Sequence, residues 1–210
     1  MDDQYWSAVR TARLDFADFL DTLSVQEWDT ASLCAGWRVR DVVGHVSVVP
    51  RVKARQMLAV APRARFDVDR INMLVGIQEG QRDPQELVAL LRRHAADRMR
   101  SRPVPDPRNL LFDLIVHGQD VARPLGRELP VSSGLAQRGL ERVWAMGWPF
   151  RARTRLGGLS LRASDTGWTV GDGPEVNGSA LAMLLLATGR TAAVIGELDG
   201  PGVPHLATAP

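Results

Sequence analysis

Residues 109–126 read NLLFDLIVHGQDVARPLG, and the rest of the chain is organised around them. The run is apolar except that Asp113 stands four positions before His117. On a helix, side chains four apart project from one face about one turn apart, so this carboxylate and this imidazole can reach a single point. Two readings follow. The pair binds a metal ion, or Asp113 and His117 pair with each other or cap something locally. A third ligand elsewhere in the chain would decide between them. Asp106-Pro107 ahead of the run is a cap-then-proline start signal, and Pro124 and Gly126 close the helix behind it.

Upstream, helical periodicity dominates. Residues 4–23 place Trp6, Val9, Leu14, Phe16, Phe19, Leu20 and Leu23 near helical spacing, with charges between them. Gly36 ends a loop before Val39, Val42, Val43 and Val46, which predict a second helix running on to Leu58 with Pro50 kinking or breaking it. A modest helix is expected over 67–78. Asp83-Pro84-Gln85-Glu86 supplies a cap, a proline at the first helical position and an acid three residues after the cap, opening a helix to about Met99. Ser101 to Pro107, with three prolines, reads as a loop.

Downstream, a helix over 133–146 leads to Gly147-Trp148-Pro149, where the pattern changes. Leu159–Ala163 and Gly167–Val170 alternate like strands between Gly and Asp turns, Asn177-Gly178-Ser179 starts an apolar helix, and the last ten residues read as an extended or frayed tail. The expected organisation is α+β: a helical bundle over 1–148 and a small α/β domain over 149–210.

Composition narrows the function. The chain has 210 residues, 45% of them hydrophobic, enough to bury a core. The start, MDDQYW, is acidic and no apolar segment follows it, while the longest apolar run, Ala180 to Ala187, is too short to span a bilayer. A cytoplasmic protein without membrane partners is expected. Net charge is only +2, and the arginines are scattered among acids instead of forming a basic run, so no nucleic-acid partner is expected either. With one cysteine, Cys34, any metal must be held by His and carboxylate. Cys34 lies in a loop eleven residues before His45 with no base beside it in sequence, which argues against a protein nucleophile.

His45 lies in DVVGHV on a mostly apolar stripe. A lone His there is more often a satisfied core residue, but in a bundle an inward His facing Asp-x-x-x-His is a way to assemble a site from neighbouring helices. Gly44 would let another backbone or a ligand come close. Two imidazoles and one carboxylate suit Zn²⁺ with an open position for water or substrate, and with more open positions Fe²⁺ or another divalent ion.

The pattern CAGWRVRDVVGHV, followed some seventy residues later by FDLIVHGQDVARPLG and then by a tail with LLLATGR, resembles the mycothiol-dependent maleylpyruvate isomerase family of the DinB-like superfamily. The resemblance implies a four-helix bundle with one divalent metal, usually zinc, held by His45, Asp113 and His117, and a sterol-carrier-like C-terminal domain. Asp113 stands where the family usually has Glu, one methylene longer; Ni²⁺ and Fe²⁺ are the other candidate ions. It further implies mycothiol, the low-molecular-weight thiol of actinobacteria, as co-substrate, with Arg190 matched to the family's tail-domain arginine facing the metal. Asp120 is placed to orient a metal ligand, or else to pair with Arg123 or cap locally. The expected chemistry is isomerisation or S-transfer on a small electrophilic substrate, with hydrolysis or non-enzymatic ligand binding as alternatives, in a monomer or homodimer.

Overall fold

Capping side chains and prolines set the helix limits. The Asp2 carboxylate accepts from Tyr5 N at 2.8 Å and opens α1 (Asp3–Leu20). Pro50 sits in a 3-10 turn, Val49–Arg51, which separates α2 (Val39–Val48) from α3 (Ala54–Val60). Asp67 and Asp83 cap α4 (Val68–Glu79) and α5 (Pro84–Arg93). Asp106 caps the 3-10 turn Pro107–Asn109, which feeds α6 (Leu110–Ala122). This computed structural model describes residues 2–51, 54–99 and 106–206. The three-proline loop expected from residue 101 falls largely outside them, as do the last four residues of the expected tail.

The chain divides into two compact units, Met1–Leu129 and Pro130–Pro210. In the first, α1 packs on α5 and α6, and α2 packs on the same two helices, so four helices enclose one core. Phe16, Leu20, Trp28, Trp37, Val39, Val42, Val43, Leu87, Leu91, Leu114 and Val121 fill it. Helix α4 lies against the outer flank of α2 at backbone distance. A Cβ on Gly44 would meet Gly80 N at 2.5 Å and Gly76 O at 2.6 Å, and one on Gly76 would meet the His45 Cβ at 3.1 Å. The close approach expected at Gly44 is therefore made by a neighbouring helix. Gly76 and Gly80, spaced like a small-xxx-small pair, are the counterpart that the sequence reading did not single out.

Helix α5 ends at Arg93, short of Met99. The cause is tertiary: buried Arg13 on α1 donates from Nη1 to the carbonyls of His94, Ala95 and Asp97 at 2.9, 3.1 and 3.0 Å. A guanidinium replaces the helical amides as partner of the freed carbonyls.

The second unit begins earlier than the 148/149 boundary read from the sequence. Helix α7 (Ser133–Ala145) buries Ala136, Gly139, Leu140 and Val143 and packs against α9 (Ala180–Ala187), an apolar helix buried almost all round. Between them come α8 (Ala152–Arg155) and a sheet of order β2-β1-β3: β1 (Ser160–Ala163) pairs antiparallel with β2 (Thr169–Val170) and parallel with β3 (Glu175–Gly178). Strand β3 occupies residues read as the lead-in to α9, because four residues holding Asn and Gly carry little strand signal until β1 pairs with them. Short helices α10 (Thr191–Val194) and α11 (Val203–Leu206) complete the unit, the latter inside the segment expected to be extended. Among the described residues, no helix is long and apolar enough to cross a membrane. The fold is α+β, mostly helical with one small sheet.

Candidate metal centre

Three elements of the first unit carry the site. Residues 30–38 form a loop tied to itself by Val39 N donating to Thr30 O at 2.9 Å and Ser32 N donating to Trp37 O at 2.9 Å. Its tip is a turn in which Trp37 N donates to Cys34 O at 3.0 Å, with Gly36 at the position requiring a positive φ, here 78°. Leu33 N donates to the backbone oxygen of Asp120 at 3.0 Å and pins this loop to α6. Asp41, nearly buried in the first turn of α2, accepts from Arg38 N at 3.0 Å and Arg38 Nε at 3.1 Å. These bonds fix the start of α2, and His45 follows one turn later on the core side.

The sequence-matched ligands converge. His45 Nε2 lies 3.7 Å from Asp113 Oδ2, and His117 Nε2 lies 3.6 Å from Asp113 Oδ1. One ligand atom from each of His45, Asp113 and His117 lies within 4.8 Å of the others. The imidazoles meet edge to face at 5.1 Å, and the Trp37 ring packs 5.3 Å from His45 and 6.1 Å from His117. Separations of 3.6–3.7 Å exceed a hydrogen bond. They match the roughly 3.4 Å spacing of two ligands bound tetrahedrally at about 2.1 Å to one ion. The same histidine makes an ordinary hydrogen bond on its other side. His117 Nδ1 lies 2.9 Å from Asp120 Oδ2, and Asp120 is wholly buried. The donor set and its spacing fit a divalent cation.

Charge follows from this crowding. Burial pulls the His117 pKa down, but the Asp113 charge, the Asp120 hydrogen bond and the Cys34 thiol outweigh it and raise the group to about 10. The acidic pocket favours positive charge, whether on the ring or on a cation replacing the proton.

Asp120, expected to orient a metal ligand or to pair with Arg123 or cap locally, places its carboxylate against His117 Nδ1. Arg190 belongs to the other unit, just beyond α9, where its Nη1 donates to Thr188 O at 2.7 Å. The last carbonyls of α9, on Leu186 and Ala187, take a guanidinium from Arg155, each at 2.9 Å. Cys34 stands differently from its sequence reading: its Sγ is 3.1 Å from Asp120 Oδ2 and 3.6 Å from His117 Nδ1. No sequence spacing links residue 34 to residues 117–120. Trp37 was legible only as part of the GW dipeptide.

Residues 9–104 match the family model described as the mycothiol maleylpyruvate isomerase N-terminal domain. The match lies within the N-terminal unit. Two solved structures share the fold of this chain. One, titled a mycothiol-dependent maleylpyruvate isomerase, superposes with a TM-score of 0.63 at 14% identity, covering 95% of this chain and 92% of the other. The second, a histidine-to-alanine variant under the same title, gives 0.63 at 13% identity with the same coverage. No curated protein matches in sequence.

Proposed function

We propose that the protein is a metal-dependent enzyme that uses a low-molecular-weight thiol, mycothiol, either to isomerise a small electrophilic substrate or to transfer the thiol's sulfur onto its electrophilic carbon, in the cytoplasm. The observation that carries the reading is the convergence of His45, Asp113 and His117 at 3.6–3.7 Å, too long for hydrogen bonds and suited to a shared ion. The family model that residues 9–104 match supports the choice of thiol.

A divalent cation held by His45, Asp113 and His117, Zn²⁺ first among candidates, would supply Lewis acidity that favours the deprotonated form of a thiol or water near neutral pH. The protein's own groups prepare that position. Asp113 contributes one negative charge to two neutral imidazoles, leaving the centre with net positive charge. Asp120 holds the His117 Nδ1 proton, so that Nε2 keeps its lone pair for the ion. Trp37 packs beside both imidazoles, 5.3 Å from His45 and 6.1 Å from His117, as an apolar neighbour of the position. Arg190, with its planar fork, is assigned to hold a substrate carboxylate or developing enolate.

The test is metal analysis of purified protein combined with a thermal-shift screen of thiols against the metal-loaded and metal-free forms. One equivalent of metal, and stabilisation by mycothiol only when metal is present, is expected. A protein that keeps its metal but responds to no thiol would shift the reading to hydrolysis; one that takes up no divalent ion would end it.

A further inference from the structure

We propose that Cys34 is a positioning residue of the metal centre, its thiol acting through Asp120 to fix the ring of His117; this rests on the metal-centre reading above. The wholly buried Asp120 presents a single oxygen, Oδ2, to two donors on different elements: His117 Nδ1 at 2.9 Å on its own helix and Cys34 Sγ at 3.1 Å on the 30–38 loop. A buried carboxylate is costly without donors, and a thiol supplies one proton without adding charge. The loop cannot drift from the helix, because Leu33 N is bonded to Asp120 O at 3.0 Å next to the thiol. Backbone and side chain of Asp120 are thus both gripped by residues 33 and 34.

The consequence lies at the opposite edge of the imidazole. With Nδ1 held in plane by an immobile carboxylate, Nε2 points at Asp113 and can turn little about its ring torsion. Removing the thiol leaves Asp120 with one donor fewer on the loop side, so carboxylate and ring gain freedom together. Positional tolerance at a metal ligand is about 0.5 Å, and loss of an outer partner typically weakens metal binding about 10–100-fold. The Cys34, Asp120 and His117 atoms could themselves be taken for ion ligands. Nitrogen to oxygen at 2.9 Å is, however, the length of a direct hydrogen bond, unlike the wider spacing on the Nε2 side.

The chain has one cysteine, so its S–H stretching band reports on one residue. In the full-length metal-free protein we expect that band at lower frequency than for a free thiol in water, together with a slowly exchanging downfield proton signal from His117 Nδ1. Cobalt(II) titrations of the wild type, Cys34→Ala and Cys34→Ser supply the second readout. The alanine variant should bind Co²⁺ about tenfold more weakly with an altered visible spectrum, and the serine variant, which keeps a donor, within about threefold of wild type. An unshifted S–H band, wild-type affinity and spectrum in Cys34→Ala, or Cys34→Ser as weak as Cys34→Ala would each overturn the proposal. No Co²⁺ uptake by the wild type would remove it together with the metal centre; a shifted S–H band in that same protein would identify the metal reading as the part that failed.

Discussion

Gly44→Ala tests the packing that brings the metal ligands together. The added Cβ would lie 2.5 Å from Gly80 N, 2.6 Å from Gly76 O and 2.9 Å from Gly80 Cα, all backbone atoms that cannot rotate aside. Restoring an ordinary 3.4 Å contact from 2.5 Å requires α2 and α4 to separate by close to 0.9 Å (3.4 − 2.5). Overpacking of this kind costs about 1–3 kcal/mol, and a backbone clash belongs at the upper end. The better helix propensity of Ala offsets about 1 kcal/mol, leaving a net loss of about 2 kcal/mol. Gly134→Ala is the control. It lies exposed in the first turn of α7 with nothing within 4 Å of its added Cβ, and should gain up to about 1 kcal/mol. Urea denaturation of the metal-free proteins, followed by far-UV circular dichroism, measures both. With a slope of about 3 kcal/mol per molar, the Gly44→Ala midpoint falls by about 0.7 M. Because His45 follows Gly44 in α2, metal affinity should fall as well. A Gly44→Ala midpoint at or above wild type would refute the close-contact account.

His117→Ala should abolish stoichiometric metal in elemental analysis; full occupancy in that variant would remove His117 from the ligand set. Metal uptake near pH 7 should release about one proton, read by calorimetry in buffers of different ionisation enthalpy, because His117 at about 10 holds a proton that the cation must displace. Stability of the metal-free fold runs the opposite way from metal affinity: the raised pKa makes protonated His117 stabilise that fold fully below its ordinary value of 6.5, and this is lost as pH rises through about 10, while metal affinity rises over that span. Arg13→Met leaves the carbonyls of His94, Ala95 and Asp97 without their shared donor and should cost about 3 kcal/mol in denaturant without changing metal stoichiometry; an unchanged midpoint would contradict that account. Arg190→Lys keeps charge beyond α9 but loses the bidentate fork, so turnover should fall with metal retained and stability nearly unchanged; normal turnover would remove Arg190 from the reaction.

Local rules determined much of this protein from sequence. Asp83 and Asp106 cap where the Asp-Pro signals place helix starts, and Pro50 ends α2 because proline cannot continue the ladder. The i, i+4 spacing fixed the face shared by Asp113 and His117 once that run was helical. What tertiary structure decided depends on partners distant in the chain. Arg13 stops α5 from 81 residues away. Strand β3 forms because β1 offers it a ladder, and α7 joins the second unit because its buried face meets α9. At the site, the spacing of His45 Nε2 from Asp113 and the placing of the Cys34 thiol on Asp120 follow from how α2 and the 30–38 loop dock on α6. Sequence spacing within one element sets which side chains share a face; only packing between elements sets the distances across which they react.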